Sequence, residues 1–328
     1  MMQRFILAML VMSLATFLSC DGGQSAGGDG KPSIAVIPKG TTHEFWKSVH
    51  AGARKAAEEL GVEIIWKGPL KEDDRTSQIT TVENFITRKV DAIVLAPLDN
   101  VALQAPVARA RQAGIPVVIF DSALEGNDYV GFVATDNRRG GQLAGEHLAK
   151  LLGGKGKVVM LRYAQGSAST TEREQGFLDA IAQHPDIQVV SENQYGGATT
   201  ETAFAASENL LAPYRNADGS LQIDGIFTPN ESTTFGMLRA LETRGWAGKV
   251  KFVGFDSSQK LVEGLQSGKI HGLVLQNPFR MGYLGVKTAV QKLRGESFEP
   301  RIDTGATLVT PDNMNEPDMQ ALLNPKLD

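Results

Sequence analysis

Val117-Val118-Ile119-Phe120-Asp121-Ser122 is an apolar run that ends in an acid and a serine, and Phe252-Val253-Gly254-Phe255-Asp256-Ser257 writes nearly the same pattern far downstream. Both read as buried strands of an α/β sheet, whose C-terminal ends face a ligand crevice. Two lobes that each aim a strand-end carboxylate at a shared cleft can hold a small polyhydroxylated molecule between them. The competing reading is an ordinary turn in which each Asp caps the helix that follows. A matched pair favours the cleft.

Working outward, strands and helices alternate, which predicts mostly parallel sheets flanked by helices. Strands are expected at 33–38, 62–66, 92–96, 117–120 and 129–134, with helices from about 43 and after 138. The rhythm then restarts. Strands are expected at 157–161, 189–194, 225–227, 251–254, 270–275 and 307–309. Helices are expected near 171–182, 200–211, 233–243 and 259–266, and from Asn277-Pro278, with proline at the first helical position. The two βα-rich halves divide near Thr135-Asp136-Asn137.

The start of the chain reads as an address. Arg4 precedes the apolar run Phe5-Ile6-Leu7-Ala8-Met9-Leu10-Val11-Met12, which fits a signal peptide and is too short to span a bilayer. Cys20 is the sole cysteine of the 328 residues, so it has no intramolecular disulfide partner. Following Ser19 at the end of the run, it resembles a bacterial lipoprotein cleavage box, with Phe17 departing from the usual Leu. An ordinary signal peptide with a chance cysteine is the plainer alternative. Residues 22–30 are glycine- and serine-rich, as a flexible tether would be. Hydrophobic content of 42% is that of a globular chain, and a net charge of −4 argues against a nucleic-acid partner.

Enzyme motifs are missing. There is no phosphate-binding G-x-x-x-x-G-K-[ST] loop, no G-x-G-x-x-G after the first strand and no G-x-S-x-G elbow. The five histidines are scattered without an H-E-x-x-H pair, so neither a metal nor another cofactor is expected. Binding groups are better represented. His43-Glu44-Phe45-Trp46 follows the first strand, where an aromatic ring can meet the C–H face of a sugar; the alternative is one ring in the core and the other a staple at the helix start. Arg173 lies in a predicted helix front, where a cation is disfavoured. It therefore either reaches into the cleft or pairs with Glu172 or Glu174. Asn230 and Gln276 end strands, and their amides match hydroxyl groups; Asn230 is also a natural N-cap, and Gln276 a natural hinge.

These residues, in this order, resemble the periplasmic sugar-binding proteins of the ribose-binding type. The likeness runs from about Ser33 to Val309. It rests on Glu44-Phe45-Trp46, Phe120-Asp121, Thr135-Asp136-Asn137 with Gly140-Gly141, Glu172-Arg173 with Gly176-Phe177, Pro229-Asn230, Val253-Gly254-Phe255-Asp256 and Gln276. The resemblance implies two Rossmann-like lobes with parallel sheets, joined by three crossings near Asp136, Gln276 and Asp303. It divides the chain into a signal peptide (1–19), a lipidated cysteine and linker (20–31), an N-terminal lobe (32–136 plus 277–304) and a C-terminal lobe (137–276 plus 305–328). By position it implies that Phe45, Trp46, Asp121, Arg173, Asn230, Phe255, Asp256 and Gln276 contact the ligand. Ser122 stands where ribose binders have Arg, and His43 where they have Asn. With Lys39, these departures fit a different sugar, a polyol or an acidic ligand. The implied function is that of an exported, lipid-anchored solute-binding protein, monomeric as the family usually is, that serves an ABC-type permease. A receptor presenting a sugar to a membrane signalling protein and a sugar-active enzyme are the rivals. A DNA-binding regulator built on the same core would carry a helix-turn-helix where the leader stands.

Overall fold

The computed structural model describes residues 30–325; the leader, Cys20 and nearly all of the linker lie outside them. The first half runs β1 (Ser33–Ile37), α1 (Glu44–Leu60), β2 (Glu63–Trp66), α2 (Arg75–Thr87), β3 (Ala92–Leu95), α3 (Gln104–Gln112), β4 (Val117–Phe120) and β5 (Gly131–Ala134). The second runs α4 (Asn137–Leu151), β6 (Lys155–Arg162), α5 (Ala168–Ile181), β7 (Asp186–Tyr195), α6 (Thr200–Leu211), β8 (Gly225–Phe227), α7 (Glu231–Thr243), β9 (Lys251–Phe255), α8 (Gln259–Gln266) and β10 (Gly272–Leu275). The chain ends with α9 (Pro278–Leu293), β11 (Arg301–Asp303), β12 (Thr307–Val309) and α10 (Pro317–Leu323).

These elements build two six-stranded sheets, ordered β11-β5-β4-β3-β1-β2 and β12-β10-β9-β8-β6-β7. All pairings are parallel except that of β10 with β12. Each sheet is covered on both faces, which is why inner strands such as β1, β3 and β4 are apolar at successive positions. On β1, Ile34 and Val36 pack with Val49, Ala53 and Met281 of α1 and α9, while Ala35 and Ile37 pack with Val82 and Val107 of α2 and α3. The chain passes from one sheet system to the other between Ala134 and Asn137, between Leu275 and Pro278, and between Asp303 and Thr307. The first and third crossings touch: Asp303 Oδ1 accepts the backbone N–H groups of Asp136 and Gly305 at 3.0 and 2.8 Å.

Three differences from the sequence reading have physical causes. The fifth strand begins at Gly131, because Tyr129 packs against the core cluster beside β4 instead of joining the ladder. The short edge strand β11, Arg-Ile-Asp, has no apolar run to announce it. Helix α5 starts at Ala168, so Arg173 lies in its second turn and the helix-front argument does not apply to it.

Both lobes use the same packing device. A Cβ on Gly52 of α1 would lie 1.9 Å from the Phe279 carbonyl oxygen of α9, and one on Gly282 2.0 Å from that of Val49. In the other lobe, a Cβ on Gly141 of α4 would lie 1.9 Å from the Arg173 oxygen of α5, and one on Gly176 2.0 Å from that of Arg138. Backbone meets backbone, so no side chain can move aside. Gly141→Ala should therefore destabilise the fold by about 1–3 kcal/mol through overpacking. It should also displace the helix that carries Arg173, and urea unfolding with a ligand titration reads both effects.

Candidate functional site

The two matched aspartates share a rare backbone conformation. Asp121 has φ +61° and Asp256 φ +67°, left-handed values that aspartate tolerates better than most residues. Neither caps the next helix. The Asp121 carboxylate lies 3.0 Å from Lys39 Nζ. Asp256 Oδ1 accepts from Gln276 Nε2 at 2.7 Å, and its Oδ2 from the Glu231 backbone N–H at 3.0 Å. The capping alternative is set aside.

Both carboxylates border one narrow cavity between the lobes, about 30 Å³ in this closed arrangement. The N-terminal lobe contributes Lys39, His43, Phe45, Trp46 and Asp121, and the opposite lobe Arg173, Asn230 and Asp256, with Gln276 at the second crossing. Trp46 is 2% exposed and combines both readings of the aromatic pair. It packs in the core, edge-on to Phe120, and still lines the cavity, with the Phe45 ring perpendicular to it at 4.8 Å. Asn230 caps α7, accepting the Thr233 N–H at 3.3 Å, while also facing the cavity.

Arg173 is buried and held in place by its fork. Nε donates to Asn137 Oδ1 at 2.7 Å and Nη1 to the Pro229 carbonyl at 3.0 Å, with Asp256 3.9 Å away. It makes no ion pair with Glu172 or Glu174. Phe255 supports it from behind, its ring centroid 4.1 Å from the guanidinium carbon, a cation–π contact. Phe255 is fully buried against Gly140. Ser122 is buried as well, its Oγ accepting the Ser169 N–H across the cleft at 3.1 Å. Neither Ser122 nor Phe255 is among the residues that line the cavity.

Several site residues escaped the sequence reading. Glu72, in the loop before α2, takes His43 Nδ1 at 2.8 Å and Trp46 Nε1 at 2.5 Å on one oxygen, and the Tyr163 hydroxyl of the other lobe at 2.6 Å on the second. Burial opposes charging the His43 imidazole, but the adjacent Glu72 carboxylate outweighs it and raises the pKa to about 9. Burial likewise opposes the Glu72 charge, yet His43, Lys39 and the Tyr163 hydroxyl hold that carboxyl at about 2. Tyr163 and Glu231 follow β6 and β8, at strand-end positions where the logic applied to Asn230 would have found them. Glu72 belongs to an irregular loop with no pattern to read.

Glu231 also reaches across the cleft. Its carboxylate accepts the Glu44 and Phe45 backbone N–H groups at 3.3 and 3.2 Å, providing the cap for α1 that the His43 side chain does not. Burial pushes its pKa up to about 7, and the Asp256 charge adds to this against the pull of His43. Lys39 completes the bridge, donating to Ser169 and Ser167 of the other lobe at 2.9 and 3.4 Å. The lobes are thus closed on one another through polar contacts around the cavity. Among the described residues no group of three or more metal-ligating side chains occurs, and no helix is long and apolar enough to cross a membrane.

Two α/β lobes, closed over a polar cavity lined by strand ends and joined by three crossings, define a cleft-binding protein. Comparison with known proteins gives the family. A model described as a periplasmic binding protein domain matches residues 34–297, and the chain belongs to that family. A ribose import binding protein from Salmonella typhimurium is 29% identical over 304 residues, covering 92% of this chain and 99% of its own. Two solved structures are also similar. A carbohydrate transporter solute-binding protein from Agrobacterium radiobacter, in complex with D-arabinose, is 36% identical with a TM-score of 0.85, covering 90% of this chain and all of its own. An ABC transporter solute-binding protein from Agrobacterium vitis with bound D-fucose is 38% identical with a TM-score of 0.84, covering 89% and 99%. The likeness to the ribose-binding type therefore holds across the body of the chain.

Proposed function

We propose that this protein is an extracytoplasmic solute-binding protein that captures a monosaccharide or related polyol between its lobes and delivers it to an ABC-type permease. The observation that carries the reading is the pair of left-handed aspartates, one from each lobe, facing a single cavity. Around them stand two amides and a guanidinium, planar groups that suit vicinal hydroxyls. Phe45 and Trp46 supply a ring face. The charges favour a neutral ligand: Lys39 faces Asp121, His43 pairs with Glu72, and Arg173 lies near Asp256. A sugar acid would have to displace one of these buried carboxylates. Ribose, D-arabinose and D-fucose, named for the relatives, set the size range to search.

In this account binding makes and breaks no covalent bond. An open cleft admits the sugar, and hydrogen bonds and stacking hold the lobes closed. The closed surface then docks on the permease. Asp136, Gln276 and Asp303 sit at the crossings about which the lobes would rotate. The leader and Cys20 support export and lipid attachment to a membrane, with the protein acting as a monomer.

The test is thermal unfolding of the purified protein against pentoses, hexoses, polyols and sugar acids. A ligand present at 100 times its Kd should add about 2.7 kcal/mol to stability, seen as a clear upward shift for one or a few neutral sugars. No shift with any of them, and no sugar released on denaturing the purified protein, would overturn the reading.

A further inference from the structure

A second, larger chamber of about 230 Å³ adjoins the interlobe cavity. The two share Phe45, Asp256 and Gln276 as walls. The chamber lies at the second crossing, between α1 of one lobe and the Asp256–Gln259 turn of the other, and the C-terminal helix α10 closes it with Leu322. Two residues of its walls each carry a buried polar atom with no partner among the described residues. The atoms are the Ser48 hydroxyl, on a fully buried residue, and Gln276 Oε1, on a residue 4% exposed. The Gln276 amide is committed at its other end, where Nε2 donates to Asp256 Oδ1. Its nitrogen thus serves the carboxylate of the sugar cavity, and its oxygen is left to accept from something else.

A buried polar atom left unsatisfied is costly, so two such atoms on the walls of one chamber call for an occupant that hydrogen-bonds to both. The occupant must donate to Gln276 Oε1 and either donate to or accept from Ser48. The remaining walls combine an aromatic ring and leucines with serine hydroxyls, the mixture that receives a sugar ring or a small hydroxylated group.

We propose that the chamber is a second subsite, and that the ligand is a glycoside whose first ring fills the interlobe cavity and whose hydroxylated substituent, a second sugar unit or a polar aglycone, passes Gln276 into the chamber. This rests on the sugar-binding reading above and narrows its ligand class. Gln276 spans the two subsites, bonded to Asp256 on one side and to the substituent on the other.

Calorimetric titration of the full protein tests it, comparing each monosaccharide of the panel with its O-methyl glycoside and with disaccharides that carry it at the non-reducing end. At least one substituted form should bind about tenfold or more tightly than its parent, the equivalent of one or two hydrogen bonds and some apolar burial. Leu322→Trp, which fills the chamber from α10, should erase that advantage and leave the parent sugar's affinity unchanged. Ser48→Ala should weaken only the substituted form, by roughly fivefold, the cost of one hydrogen bond. Parent and substituted sugars binding alike, or an advantage that survives both variants, would mean that the chamber holds only water, and the subsite is overturned. Monosaccharides binding while every substituted form is excluded also overturns it, with the sugar-binding reading intact. Absence of binding by any sugar overturns both.

Discussion

Replacing Asp256 with alanine should abolish ligand binding and lower the unfolding free energy by about 3–5 kcal/mol, the usual cost of removing one partner of a buried charge pair. Three groups depend on this carboxylate. Arg173, 2% exposed, would keep only Asn137, the Pro229 carbonyl and the Phe255 ring, none of them charged. Gln276 Nε2 and the Glu231 backbone N–H would each lose their acceptor. Alanine at a φ of +67° would cost a further ~1–2 kcal/mol, because its Cβ crowds the following carbonyl. Asp256→Asn separates these effects. It tolerates the left-handed backbone and retains an acceptor oxygen, so it should fold with a smaller loss and still bind sugar poorly for want of the charge. Urea unfolding with a ligand titration gives both quantities, and an Asp256→Ala protein of undiminished stability would contradict the role assigned to the carboxylate.

The second large effect concerns Glu72. Glu72→Gln should destabilise the protein by about 3–5 kcal/mol near pH 6, because it leaves a protonated His43 without its counter-charge. The pH dependence distinguishes this pair from a merely structural contact. His43 is raised from 6.5 to about 9. Its contribution is therefore complete below pH ~6.5 and lost as the pH rises through ~9, an amount of about 3 kcal/mol. Glu72 is depressed from 4.5 to about 2, so its contribution is complete above pH ~4.5 and lost as the pH falls towards ~2. Glu231 runs the other way from Glu72. Raised from 4.5 to about 7, it makes the closed form bind its proton more tightly, so stability declines between those values as the pH rises. His271, which burial and the nearby Lys251 hold down at about 4, adds stability as the pH rises towards 6.5 and opposes Glu231 there, so the predicted loss is concentrated between pH 6.5 and 9, where His43 gives up its proton. In Glu72→Gln the limb between pH 6.5 and 9 should flatten, and the cost of the substitution should shrink as the pH rises. Melting temperatures of both proteins across pH 4–9 measure this; parallel curves would contradict the ion pair.

The parts of this molecule that could be read in the sequence are those governed by local rules. Parallel strands buried on both faces must be apolar throughout, so Val117–Phe120 and Lys251–Phe255 stood out, and the acid at the end of each marked the crevice. Lys39, Phe45, Trp46 and Asn230 follow from the same position at strand termini. The parts that could not be read depend on the lobes meeting. Glu72 matters because Tyr163, 91 positions later, places a hydroxyl on it. Glu231 matters because the N-terminus of α1 lies across the cleft, 187 positions earlier. Ser122 and Phe255 have roles hidden from the sequence for the complementary reason. They occupy the same motif as the aspartates, but Ser122 is used to join the lobes and Phe255 to support Arg173. Position in a motif gave their location and not the direction in which their side chains act.

The central claim is that the closed cavity holds a neutral sugar reversibly. It is tested most directly by titrating the best neutral sugar of the panel into the wild-type protein in a calorimeter and recovering the sugar afterwards for NMR. The account predicts one saturable site per chain, a negative heat-capacity change as the lobes bury surface, and a sugar returned chemically unaltered. Heat that never saturates, or a sugar returned in altered form, would contradict it.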